Sequence, residues 1–138
     1  MHRFFLKIAA LLGALSVMLG AFGAHKLKEM VEPATLSTFQ TGVTYQFYHA
    51  LALLAAGILY KRYRNKWIIW SGGAFIAGII LFSGSLYVLT VMQATEKVGV
   101  GSIGYITPAG GVVLIAGWLC LFIGIPASRV SERNEKDG

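Results

Sequence analysis

The stretch WIIWSGGAFIAGIILFSGSLYVLTVMQAT, from Trp67 to Thr95, runs for 29 residues without a charged side chain. About 20 predominantly apolar residues in a helix cross the roughly 30 Å hydrocarbon core of a bilayer, so this stretch reads as a membrane span. Three other charge-free runs, residues 8–25, 33–60 and 98–128, extend for 18, 28 and 31 residues. The whole chain of 138 residues is 56% hydrophobic and only 13% charged, against roughly 25% charged in an ordinary soluble domain. A soluble helical protein needs polar outer faces, and these runs leave too few polar residues to make them. An isolated strand in lipid leaves its backbone unpaired, and the period-two alternation of barrel strands is missing. The fold class expected is all-α, an integral membrane four-helix bundle.

The spans are placed at residues 4–24, 43–60, 67–91 and 109–125, giving one transmembrane domain, 1–125, and a polar cytoplasmic tail, 126–138. Glu32-Pro33 resembles a helix start, since proline suits the first helical turn, and Leu36, Phe39 and Val43 recur at helical spacing. A short interfacial helix leading into the second span is expected there. Residues 93–108, with Gly99, Gly101 and Gly104, are expected to form an irregular loop. His2 is expected to be disordered.

Of the 12 Lys and Arg residues, nine fall on the N-terminus, the 61–66 loop and the tail, and three on the other two loops. By the positive-inside rule both termini and the 61–66 loop are cytoplasmic. Tyr60, Tyr63, Trp67 and Trp70 then form an inner aromatic belt, and Tyr45, Tyr48, Tyr87 and Tyr105 an outer one. The start of the chain also resembles a secretory signal. Its apolar run exceeds the usual 7 to 15 residues of a signal core, so it is expected to stay as the first span.

The net charge of +6 does not point to nucleic acid, because its densest cluster is only Lys61, Arg62, Arg64 and Lys66, a small loop with few phosphate contacts to offer. The single cysteine, Cys120, rules out an intrachain disulfide and a cysteine-cluster metal site.

Small residues recur at steps of three, four and seven: Ala9, Gly13, Ser16, Gly20 and Ala24; Ala50 and Gly57; Ser71, Gly78 and Ser85; Gly110, Gly117 and Gly124. Lipid gives apolar helices no hydrophobic reason to associate, so close approach through small residues is the main packing device. The seven-residue period predicts left-handed crossing.

At 100° per residue Gln46 and His49 share a face with Ala50, Leu53 and Gly57, so a bundle-facing stripe buries both polar groups. Polar side chains at membrane depth often mark a pathway or ligand site. The plainer alternative, which we favour, is that they hydrogen-bond to Ser85, Ser16 or a backbone carbonyl and fix the packing. With His25 and Thr107 they make up a candidate outer polar site: His25, Gln46, His49, Ser85 and Thr107. His25 precedes Glu29 by four residues, but zinc needs three or four ligands and no further motif supplies them, so no metal is expected. No carboxylate lies within a span, and neither a nucleophile–base arrangement nor a phosphate or dinucleotide loop occurs. No enzyme activity and no cofactor are expected.

A resemblance rests on Gly20-Ala21-Phe22-Gly23-Ala24-His25, Thr41-Gly42-Val43-Thr44-Tyr45-Gln46-Phe47-Tyr48-His49-Ala50-Leu51-Ala52, Leu81-Phe82-Ser83-Gly84-Ser85-Leu86-Tyr87, Thr107-Pro108-Ala109-Gly110-Gly111 and Gly117-Trp118. In order and spacing these segments resemble the YgdD-like family of small bacterial membrane proteins, a domain of unknown function. The resemblance covers residues 12–124. It implies four helices in the bacterial cytoplasmic membrane and a link to membrane or envelope integrity, and supplies no catalytic residues. The expected function is a non-enzymatic protein that supports membrane or envelope organisation, with membrane lipids and further copies of itself as partners. The competing expectation is a small transporter or channel lined by Gln46, His49, Ser85 and Thr107. An enzyme acting on a lipid or quinone ranks last.

Overall fold

A computed structural model of the chain describes residues 2–95 and 103–126. Helix α1 runs Arg3–Phe22, passes through a π-helical turn, Gly23–Leu27, and ends on Lys28–Met30. Helix α2 is Pro33–Leu59, α3 is Lys66–Ala94 and α4 is Ile103–Gly124. The four rods measure 28, 27, 29 and 22 residues. At 1.5 Å per residue the shortest is about 33 Å long, enough to cross a bilayer core. No strand occurs among the described residues.

Three expected boundaries change. The second span and its interfacial lead-in form one continuous helix from Pro33. Thr38 and Thr41 hydroxyls donate to the Ala34 and Ser37 carbonyls (3.2 and 2.9 Å), spending their polarity inside the helix rather than breaking it. The expected 93–108 loop is shortened from both sides, since α3 reaches Ala94 and α4 begins at Ile103 with Gly104 inside it. Gly99 and Gly101 lie outside the described residues, as does the tail beyond Pro126. Pro108 sits within α4, where it removes the bond its amide would have given the Gly104 carbonyl, a loss that membrane helices tolerate. Finally, α1 continues past Ala24 through the π-turn, which buries both Gly23 and Leu27.

The helices pack in chain order, so α2 and α3 are interior and α1 and α4 flank them. Within the apolar windows 44% and 39% of residues are buried in α2 and α3, against 17% and 22% in α1 and α4. Leu53 and Ala56 of α2 and Ile68 and Phe75 of α3 form the centre of the core, with Phe5 and Leu114 reaching in from the flanks. The far ends are tied too. Asn65 caps α3 by accepting from the Ile68 amide (3.2 Å) and donates through Nδ2 to the Gly124 carbonyl at the end of α4 (2.8 Å).

His2 is ordered, contrary to expectation. Its amide donates to the Gly57 carbonyl at 2.9 Å, and its ring stacks on Phe5 at 3.9 Å with Tyr60 edge-on at 5.3 Å. An aromatic slot between α1 and α2 holds it in place.

The small-residue stripes prove unequal. A Cβ added at Gly110 would stand 2.5 Å from the Phe82 amide nitrogen; one at Gly117 would meet the Phe75 ring at 2.8 Å, and one at Gly124 the Ile68 side chain at 2.7 Å. At Gly78 it would overlap Leu114, and at Gly57 it would meet Leu6 at 2.8 Å. Ser71 is fully buried with its hydroxyl unpartnered among the described residues, so it serves packing by size. On α1 the expectation holds only in part: Ala9 and Ser16 are buried, but Gly13 has open space beside it, Gly20 only an ordinary 3.7 Å contact with Val43, and Ala24 is exposed. Two glycines outside the stripes are tight instead, Gly42 against Tyr87 and Gly72 against Phe5.

Candidate functional site

The five residues of the candidate polar site do not converge. Gln46 and His49 are buried on one face of α2, as the helical spacing required, but they engage different neighbours. Gln46 bridges two seams. Its Nε2 donates to the Leu12 carbonyl of α1 (3.2 Å), and its Oε1 accepts from the Tyr87 hydroxyl of α3 (2.9 Å). The Leu12 carbonyl also receives the Ser16 hydroxyl at 2.8 Å, so two donors share one oxygen. The amide orientation follows from this network, since only one assignment satisfies both partners.

His49 looks toward α4. Its Nδ1 lies 2.7 Å from the Tyr45 carbonyl one turn back, and Trp118 Nε1 donates to its Nε2 at 3.2 Å. Both contacts are satisfied by the neutral ring with its hydrogen on Nδ1. Phe75 and Trp118 pack edge to face at 5.3 Å, and the His49 ring lies 5.8 Å from Phe75, closing an aromatic wall around the imidazole.

Ser85 and Thr107 do come together. Their hydroxyls lie 2.6 Å apart across the α3–α4 seam, and Ser85 also donates to the Phe82 carbonyl at 2.8 Å. His25 joins none of these groups; it is exposed in the π-turn of α1. Among the described residues no three His, Cys, Asp or Glu side chains gather. A groove of about 340 Å³ opens between α1 and α2, lined by Ser16, Val17, Val43, Thr44, Phe47 and Tyr48. Gln46 and His49 are not among its lining residues.

Tyr87, Trp118 and Asn65 complete these contacts and were not singled out as site residues. Tyr87 was assigned to the outer aromatic belt, yet its ring packs on Phe39 at 5.4 Å and its hydroxyl points inward to Gln46. Tyr45, Tyr48 and Tyr105 do stay exposed. At the opposite end the belt also divides, with Trp67 and Trp70 exposed and Tyr60 and Tyr63 packed on the core. A lone buried glutamine calls for a donor on a facing helix, and that was the available signal for Tyr87. Asn65 stands immediately before the Lys66 helix start, the ordinary N-cap position.

Residues 19–111 match a family described as "Protein of unknown function (DUF423)". A UPF0382 membrane protein of Staphylococcus saprophyticus is 43% identical over 123 residues, covering 86% of this chain and 97% of its own. One from Staphylococcus aureus is 42% identical over 122 residues, covering 86% and 94%. The UPF0382 inner membrane protein YgdD of Escherichia coli K12 is 38% identical over 122 residues, covering 88% of each chain. No solved structure matches.

Proposed function

Because the chain belongs to the DUF423 family, whose relatives carry the name UPF0382 membrane protein, we propose that it is a non-catalytic helix-packing protein of the bacterial cytoplasmic membrane that supports membrane or envelope organisation. In this reading both termini and the 61–66 loop are cytoplasmic, as the asymmetry of basic residues favours. Lipids and further copies of the chain are its partners.

The observation that carries the proposal is how the buried polar side chains of the candidate site are spent. Gln46 uses both ends of its amide on α1 and α3, His49 uses both ring nitrogens, and Ser85 pairs with Thr107. Each hydrogen bond ties one helix to the next or one turn to another. Between membrane helices such a bond contributes about 0.6 to 2 kcal/mol, enough to set register without supplying a function of its own. A transport path would need those groups turned toward a passage, and His49 would need Nε2 released from Trp118.

The test uses a strain lacking the protein, complemented with the wild type or with His49→Gln, scored for survival under envelope stress. Purified protein in vesicles is scored for proton and metal-ion flux. The expected result is restored survival with both forms and no flux with either, since glutamine keeps a hydrogen-bonding group but cannot titrate near neutral pH. A wild-type flux that disappears in a well-folded His49→Gln variant would overturn the proposal in favour of transport.

A further inference from the structure

We propose that the 61–66 loop and the adjoining start of α3 form a binding site for an anionic phospholipid, with its phosphate on the loop cations and an acyl chain along Trp67 and Trp70. This deepens the structural role proposed above. It starts from four cations within six residues, Lys61, Arg62, Arg64 and Lys66, all exposed. Arg3 and Lys7, near the start of α1, are exposed at the same end. The described carboxylates, Glu29 and Glu32, belong to the other end, on either side of the α1–α2 turn. The positive field at the loop therefore meets no opposite charge among the described residues. At headgroup depth each such cation attracts anionic lipid, and the attractions combine.

Charge alone would describe any basic loop; the local geometry makes this one a site. Arg62 donates through Nε to the Tyr63 hydroxyl at 3.1 Å, and its guanidinium carbon lies 5.5 Å from the centre of the Tyr63 ring. Tyr63 packs on the core, so the guanidinium is held by a fixed ring. Both Nη nitrogens are left without a partner among the described residues, a fork that matches two phosphate oxygens. Lys66 Nζ stands 5.6 Å over the Trp67 ring. Lys66, Trp67 and Trp70 also line an open hollow of about 130 Å³ with mainly apolar walls. A cation at the rim of an apolar hollow suits a molecule with a phosphate at one end and hydrocarbon at the other. A free phosphate would leave both exposed tryptophans unused, whereas tryptophan at this depth commonly lies against lipid.

The full chain in micelles is given phosphatidylglycerol and phosphatidylcholine of equal chain length, and retained lipid is counted by native mass spectrometry. Phosphatidylglycerol should be retained about tenfold or more over phosphatidylcholine. Replacing Lys61, Arg62, Arg64 and Lys66 together by Gln should bring the ratio near one, and Arg62→Gln alone should lower it several-fold while leaving the rest of the loop intact. Lys26→Gln with Lys28→Gln, at the other end, should leave it unchanged. Trp67→Ala with Trp70→Ala should weaken retention of both lipids. Equal retention of the two lipids by the wild type, or an equal fall in the Lys26 and Lys28 control, would overturn the site. Inorganic phosphate displacing the lipid at equal concentration would overturn its assignment to a lipid. Binding is read on purified protein and envelope survival in cells, so the site and the functional proposal can fail separately.

Discussion

Along α4 the glycines at 110, 117 and 124 meet α3 at three successive levels, whereas along α1 Gly13 meets nothing and Gly20 only touches Val43. Both helices carry small residues at helical spacing, and both flank the bundle. The difference lies in the facing helix. Opposite α4, α3 offers the Phe82 backbone, the Phe75 ring and the Ile68 side chain. On the other seam Leu6 of α1 enters the space left by Gly57 of α2, the reverse arrangement, while Phe39 of α2 stands against Gly23 of α1 as the α3 groups stand against α4. The middle of α1 meets the bundle through Ala9 and Leu12 on the apolar core and through the Gln46 bond to the Leu12 carbonyl. A small-residue stripe marks where a helix can be approached closely; whether anything approaches depends on the neighbour's shape.

The largest expected effect breaks the α3–α4 side of this comparison. In Gly110→Ala the new methyl meets backbone, 2.5 Å from the Phe82 nitrogen and 2.8 Å from its Cα, so the two helices have to separate. A loss near the top of the roughly 1–3 kcal/mol typical of overpacking is expected, read as a fall in the melting temperature in detergent. Gly57→Ala is the companion, because its obstacle is the end of the Leu6 side chain, which can rotate away. Equal losses at the two positions would mean that helix separation is not what limits stability on the α4 side.

A middle-sized effect sharpens the α1–α2 side. Tyr87→Phe leaves Gln46 Oε1 buried without its donor, and Gln46→Leu removes both cross-helix bonds at once. Each single change should cost about 1–2 kcal/mol, and the double mutant should cost less than their sum by about 0.6 kcal/mol or more. Strict additivity in the melting data would show that the two side chains do not act together.

The membrane class, the number of helices and the inward face of α2 were legible in the sequence because each follows from one helix taken alone. Charge-free length makes a span, and 100° per residue puts Gln46 and His49 beside Leu53. Partners were another matter. The order of residues says that a buried Gln46 needs a donor on a facing helix, but not that Tyr87 is that donor or that His49 reaches Trp118, 69 positions away. Grouping His25 with them assumed that residues near one end of the bundle share a site, yet the π-turn leaves it exposed. The expected loop at 93–108 came from counting glycines, a signal calibrated in water. Inside a bilayer an unpaired backbone is more costly than a poor helix former, so α3 persists to Ala94 and Gly104 and Pro108 are helical.

The smallest expected effect concerns Gly13, and it bears on whether the chain acts alone. The stripe of α1 contains it, but a Cβ there would meet no atom within 4 Å. Within one copy, Gly13→Ala should therefore leave the melting temperature unchanged or raise it slightly, since alanine is favoured over glycine in a helix interior by about 1 kcal/mol in water. A second copy seated on this stripe would reverse the sign, because the added methyl would then enter a close helix contact. The measurement is melting together with oligomer mass in the same detergent. An unchanged mass with an unchanged or higher melting temperature leaves Gly13 facing lipid, in contrast to the glycines of α4. A lower melting temperature that follows loss of the oligomer would show that α1 uses its glycines after all, against another molecule.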